Sequence, residues 1–463
     1  VTVPAAEAIR RSGARTVHAE RLPAELAFST DTRALAPGDA FVALRGERFD
    51  GHAFVGDALR AGAAVLVVDD AAAVPPEVPA LVVRDTTEAY LAFAAIARER
   101  SQARVVAITG SAGKTTTKAF LAQLLATVEP ERTASTPRNE NNMIGVAKFL
   151  LGLASDARFA VVELGARHYG EIAPLALAAR PETAVVTNIG EAHLEIFGSR
   201  ERLAETKWGI FVPGARRIAH AGDAASRERV ARDGRPVSWY GVTGDPPAPE
   251  DAPSVVLAGR SELRVAAPGG AGRVRTFAAD VTVAGDHNLR NAAAAAAAAL
   301  DLGLEPEIVA AGLGALALPA GRYERSTLAG FDVIYDAYNA NHSGMLATLA
   351  SFAREPARRR IAVLSSMAEL GDDAAAMHRS VGTAAAAAGL AVLLVGGDFA
   401  ADLARGARES GMPAGDVVPF DDNAGATAWL RANARDGDLV LLKGSRRYRL
   451  EDVLADLRAV HAG

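Results

Sequence analysis

Short β-branched runs recur along the chain, separated by segments of helical period, and this alternation predicts an α/β fold with mostly parallel sheets. In the first hundred residues, strand-like runs at 40–44, 65–68 and 81–83 lead into an amphipathic stretch at 88–100, which makes a small α/β unit. From 105 to 109 an apolar β-branched run enters a Gly-containing turn and a long helical pattern, and strands follow at 159–163, 183–188 and 217–220. A stretch rich in Pro, Gly and Asp (241–253) precedes alternating segments around 261–265 and 274–283, which predict an antiparallel appendage. After the alanine helix at 292–299, residues 313–321 read as a linker. The last segment repeats the alternation, with strands at 332–335, 360–364, 391–395 and 438–442, each followed by small or polar residues. Three domains are expected, at 1–102, 103–318 and 319–463. Open α/β sheets bind ligands at the carboxyl edge of their strands, so the last two domains are expected to share a cleft.

Composition narrows the chemistry. The 463 residues contain no Cys, which excludes disulfide scaffolds, Cys-ligated zinc and thiol nucleophiles. The net charge of −5 leaves no global basic field for nucleic acid or an anionic membrane. The longest uncharged apolar run, 381–397, is too short and too glycine-rich to span a bilayer as one helix. No charged-then-apolar segment opens the sequence, so a soluble cytoplasmic monomer without membrane insertion is the expectation. Of 50 basic residues only five are lysines (Lys114, Lys118, Lys148, Lys207 and Lys443). Against that arginine-rich background each lysine is informative, because it supplies a compact charge and a nitrogen that can lose its proton.

Gly110, Ser111, Ala112, Gly113, Lys114, Thr115 and Thr116 follow the β-branched run and open a helix. The glycines allow a tight turn that aims successive N–H groups at a phosphate, Lys114 reaches the outer phosphates, and the Thr115 hydroxyl suits Mg²⁺. Ile108 stands where the longer Walker spacing needs Gly, so this is the shorter G-x-x-G-K-T form. Glu163 ends an apolar strand at the same sheet edge, and His193 follows another strand in the same way. In isolation they read as a loop carboxylate and a structural His; beside a triphosphate they resemble a second cation site, Glu163 more strongly, since Mg²⁺ favours oxygen ligands. Lys207, on a helical stretch between strands, is either a surface ion-pair partner or a buried amine able to take up CO₂ as an anionic carbamate.

Together these motifs resemble the Mur ligase family, ATP-dependent enzymes that join amino acids or peptides to the peptidoglycan precursor, over essentially the whole chain. The resemblance implies three domains: a small N-terminal UDP-sugar-binding domain, a central P-loop-type ATP-binding domain and a C-terminal Rossmann-like domain. It implies ATP and Mg²⁺ as cofactors, with Thr115, Glu163, His193 and a carbamylated Lys207 around the metal. Asn288 and Asn291 match the family's nucleotide-contacting H-N-x-x-N element, while Arg322 and Asp336 match the Arg and Asp that the C-terminal domain brings to the nucleotide. Ser29, Thr30, Arg45, Asp50 and His52 are similar to the UDP-sugar site. Asn141, Asn142, Asn339, Asn341 and Glu369 lie in motifs similar to those of the branch that adds D-alanyl-D-alanine to UDP-N-acetylmuramoyl-tripeptide. Lys443 either holds the dipeptide carboxylate or completes the C-terminal sheet. His342 stands where that branch carries Pro, which is expected to loosen the loop near the dipeptide. The alternatives are a sister ligase adding a single amino acid, a folylpolyglutamate-type enzyme, and a non-catalytic nucleotide-binding module. The Ser29–Arg33 and Asp50–His52 motifs disfavour the folate enzyme, and retention of the phosphate and metal groups disfavours the module.

Overall fold

The computed structural model describes residues 1–46, 49–190, 197–267, 274–368 and 370–459. Three large sheets run through it, beside two two-stranded pairs. The first holds β1 (Arg15–Val17), β2 (Phe28–Ser29), β3 (Ala40–Val42), β4 (Val65–Val68) and β5 (Ala80–Val82) in the order β1-β5-β4-β3-β2, parallel except at β1. Helix α1 (Thr86–Arg100) leads out of it; the Asp85 carboxylate caps its first turn by accepting from Thr87 and Glu88 N–H.

The central sheet comprises β6 (Arg104–Thr109), β7 (Thr133–Ser135), β8 (Phe159–Glu163), β9 (Thr183–Val186), β10 (Arg216–His220), β11 (Ser238–Val242), β12 (Ser254–Ala258), β13 (Glu262–Ala266) and β14 (Val274–Ala278). Their order is β7-β8-β6-β9-β10-β11-β12-β13-β14, parallel as far as β12, with β13 and β14 added antiparallel as the expected appendage. Alternation along β6 sends Val105 and Ala107 into the core shared with α1, and Val106 and Ile108 into the opposite core. Each buried Val or Ile there contributes roughly 1.5–3 kcal/mol, which fixes the register and places Thr109 at the carboxyl edge. Helix α2 (Lys114–Ala126) follows, then α3 (Arg200–Trp208) and α4 (Asp286–Asp301). Residues 292–299 of α4 are all alanine and all buried, because only small side chains let α4 approach α2 and the sheet so closely.

The third sheet has β15 (Glu324–Leu328), β16 (Phe331–Tyr335), β17 (Arg359–Ser365), β18 (Val392–Gly396), β19 (Val417–Pro419) and β20 (Asp438–Lys443) in the order β15-β16-β20-β17-β18-β19. Only β15 runs antiparallel. Helices α5 (His342–Phe352) and α6 (Ala374–Ala387) pack on it. It is docked on the central unit: Asn341 Nδ2 donates to the Ser111 carbonyl (3.2 Å), His287 Nδ1 pairs with Ser351 Oγ (3.0 Å), and Asp286 meets Arg354 (3.0 Å). No helix among the described residues is long and apolar enough to cross a membrane.

Candidate active site

The docked sheets flank a cleft of about 390 Å³ that is lined by the glycine loop. Gly110 and Gly113 have φ of +152° and +81°, and a Cβ would sit 1.8 Å from Thr187 Oγ1 at the first and 2.3 Å from Asn291 Oδ1 at the second. Glycine is therefore required by backbone conformation and by crowding. Asn188 Oδ1 accepts from Ser111 and Ala112 N–H (3.1 and 3.0 Å), pinning the loop to the neighbouring strand. Lys114 donates to the Gly110 carbonyl at 2.7 Å and Lys207 to the same oxygen at 3.2 Å. Burial pushes both amines below the ordinary lysine range, Lys207 far below it with help from the Lys114 charge. Lys207 is 3 % exposed, so of its two readings it is the buried amine, with no ion pair among the described residues. Thr115 and Thr116 line the cleft, Thr116 nearly buried.

Glu163, 1 % exposed, lies beside the loop. Its Oε1 accepts from Asn141 Nδ2 (2.8 Å) and Thr115 Oγ1 (3.2 Å), whereas Oε2 accepts no hydrogen bond and faces the Lys118 ammonium at 3.2 Å. Lys118 is itself held by the Thr136 and Arg138 carbonyls. Asn141 therefore orients Glu163. Asn142 is an N-cap, its Oδ1 accepting from Gly145 N–H at the start of the helix Met143–Leu151, and the residue is exposed. His193 and Glu369 lie outside the described residues.

On the opposite wall, Asn288 donates to the Ala284 carbonyl and Asn291 to Asn288 Oδ1, both buried against the glycine loop. Arg322, Asp336, Asn339, Asn341 and Lys443 join the cleft from the C-terminal sheet. Lys443 ends β20 and is buried, donating to Asp336 Oδ2 (2.8 Å), while Thr348 Oγ1 donates to the same oxygen (2.6 Å). Burial opposes the Asp336 charge, but Lys443 and His287 hold the carboxyl below its ordinary range. Arg322 stacks its guanidinium 4.5 Å from the Tyr338 ring centroid, and Arg446 stacks at 5.3 Å. Asn339 Oδ1 accepts from Ala340 N–H, and Asn341 both caps α5 and reaches the glycine loop. His342 occupies the first helical position of α5, and its Nε2 pairs with Ser380 Oγ of α6 at 2.9 Å.

In the N-terminal unit, Ser29 Oγ donates to the Asp31 carbonyl, and Thr30 is half-buried beside it. Arg45 is bound by the carboxylates of Asp69 and Asp50, and His52 bridges those same two, with Nδ1 2.6 Å from Asp50 Oδ1 and Nε2 3.1 Å from Asp69 Oδ1. The expected sugar-site residues Arg45, Asp50 and His52 thus form one network, with Asp69 as a member that no motif revealed.

Models of the Mur ligase family catalytic domain, the Mur ligase middle domain and the Mur ligase glutamate ligase domain match residues 27–107, 108–299 and 321–446. The chain is 36 % identical over 438 residues to the UDP-N-acetylmuramoyl-tripeptide--D-alanyl-D-alanine ligase of Synechocystis sp., covering 93 % of this chain and 91 % of that one. The chain belongs to the Mur ligase family. As an ATP-dependent Mur ligase it also resembles solved relatives in fold. MurF from Acinetobacter baumannii superposes with a TM-score of 0.84 at 30 % identity, covering 99 % of each chain. MurF ligase from Thermotoga maritima in complex with ADP gives 0.78 at 27 %, covering 94 % of this Mur ligase and 97 % of that chain. The expected three-domain α/β architecture is the one observed.

Proposed function

We propose that this Mur ligase joins D-alanyl-D-alanine to UDP-N-acetylmuramoyl-tripeptide at the expense of ATP in peptidoglycan precursor synthesis. The observation that carries the reading is the convergence of Lys114, Lys207 and Glu163 on one glycine loop, in a chain alike end to end to ligases of that name. Units at 1–102, 103–318 and 319–463 would bind the UDP-sugar, ATP and the acceptor respectively.

The tripeptide carboxylate attacks the γ-phosphorus, ADP leaves, and an acyl phosphate forms. The dipeptide amine then attacks the acyl carbon and inorganic phosphate departs. Phosphoryl transfer needs positioning and charge neutralisation more than covalent help. The loop N–H groups and Lys114 cradle the phosphates, Arg322 brings a further cation from the C-terminal unit, and Asp336 is held ionised by Lys443 at the nucleotide wall. The docked C-terminal sheet excludes water from the acyl phosphate. A hard cation fits the residues present: Glu163 Oε2 has an unused lone pair in a buried site next to the Thr115 hydroxyl. Thr115, Glu163, His193 and carbamylated Lys207 would hold Mg²⁺, which when bound neutralises polyphosphate charge.

The test is phosphate release from ATP with UDP-N-acetylmuramoyl-tripeptide, comparing D-alanyl-D-alanine with single amino acids as acceptor. Turnover that requires the dipeptide supports the reading; turnover with a single amino acid moves the chain to a sister ligase.

A further inference from the structure

The cleft wall farthest from Glu163 is built on His220, at the carboxyl end of β10, and Asp245, in the turn after β11. Asp245 is 7 % exposed and fully engaged: Oδ1 accepts from Arg290 Nη2 (2.6 Å), and Oδ2 accepts from Val242 N–H (2.9 Å) and lies 2.9 Å from His220 Nε2. Burial opposes its charge, yet His220 and Arg290 hold the carboxyl below its ordinary range, so it acts as an acceptor. Because that carboxylate accepts, Nε2 is the donor of the ring, and Arg290 already balances the carboxylate charge. Nδ1 has no partner among the described residues, and in the Nε2–H tautomer it carries a free lone pair. The ring is fixed: it stacks on Tyr240 with centroids 5.2 Å apart, and the Tyr240 hydroxyl donates to the Thr187 carbonyl at 2.7 Å. Gly222 lets the backbone pass close to the edge that faces Asp245, since a Cβ there would lie 2.8 Å from His220 Cε1 and 3.0 Å from Nε2.

Glu163 ends β8, on one side of the glycine loop that follows β6, while β10 and β11 lie two and three strands away on the other side. At about 4.8 Å per strand, a nucleotide with its terminal phosphate beside Glu163 carries its base towards His220. We propose that His220 Nδ1 accepts from the 6-amino group of adenine and so selects ATP over GTP. Guanine presents a carbonyl oxygen at that place, which sets two acceptors face to face with no proton between them. This rests on the cleft being the ATP site and adds which atom reads the base.

Nucleotide binding by calorimetry tests it without depending on ligation. The wild-type protein binds ATP about tenfold or more tightly than purine riboside 5′-triphosphate, which lacks the amino group, as expected for one neutral hydrogen bond to a desolvated acceptor. GTP binds more weakly still. His220→Asn, whose carboxamide oxygen takes the place of Nδ1, keeps that preference. His220→Phe keeps the stack on Tyr240 but drops ATP to the purine riboside level and leaves purine riboside binding unchanged. Equal wild-type affinity for the two, which needs no variant to observe, overturns the proposal. So does an unchanged preference in His220→Phe, or a loss that follows 2′-deoxy-ATP instead, which would put the ring on the ribose. A protein that prefers ATP but does not ligate D-alanyl-D-alanine sinks the ligase reading and leaves this one standing.

Discussion

Lys114 and Lys207 donate to the same oxygen, the carbonyl of Gly110, at 2.7 and 3.2 Å. Two unit positive charges about 4 Å apart repel by about 4 kcal/mol at an effective dielectric constant near 20, which favours the loss of one proton. Burial and the Lys114 charge both lower the proton affinity of Lys207. A neutral buried amine is the form that reacts with CO₂. Protein prepared in ¹³C-bicarbonate is expected to show a carbamate carbonyl resonance that is absent from Lys207→Arg, and that variant is expected to lose about 100-fold in turnover. A fully active Lys207→Arg would end the carbamate reading.

Glu163 and Lys118 separate stability from metal affinity. Glu163→Gln leaves the Lys118 ammonium buried with only carbonyl partners, an expected cost of about 2 kcal/mol after allowing for those bonds. The Mg²⁺ concentration for half-maximal turnover should rise at least about tenfold. Adding Lys118→Met should restore the denaturation midpoint without restoring the Mg²⁺ response. Recovery of both would make Glu163 merely structural.

Tyr338 carries two guanidiniums, and its hydroxyl is buried without a partner among the described residues. Its ring, rather than its oxygen, is therefore the working part. Tyr338→Phe should match wild type, whereas Tyr338→Leu should lose about 1–3 kcal/mol of stability as two cation–π contacts vanish. The latter should also raise the KM for ATP through a misplaced Arg322, as steady-state kinetics would record.

Burial lowers the His287 pKa to about 4 from an ordinary value near 6.5. Between those values the unfolded chain binds more protons than the folded one, so stability rises with pH across the window. The contribution is complete above pH 6.5 and is lost as pH falls towards 4, at most about 3 kcal/mol. Denaturant unfolding at pH 7 and pH 4.5 should show a smaller difference in His287→Gln than in wild type; equal differences would remove His287 as the source.

Local motifs were legible in the sequence, and long-range partnerships were not. β4, β6 and β8 stand out because buried parallel strands are apolar runs, whereas β7, β15 and β19 are short or polar edge strands that resemble loops. The glycine loop and Glu163 follow their strands directly. Asn188, Lys118 and the His220–Asp245–Arg290 group could not be read because their neighbours are distant in sequence. The Asn142 cap was not read either, since a helix cap and a substrate contact use the same residue type.

Four of the five lysines are withdrawn from the surface: Lys114 into the cleft, and Lys118, Lys207 and Lys443 into buried pairings, leaving Lys148 exposed. For amine-reactive reagents the lysines of the folded molecule are thus nearly silent, with Lys148 the exposed one. Mild acylation becomes a direct gauge of closure, because any state that draws the C-terminal sheet away from the glycine loop uncovers new reactive nitrogens at Lys114 and Lys443.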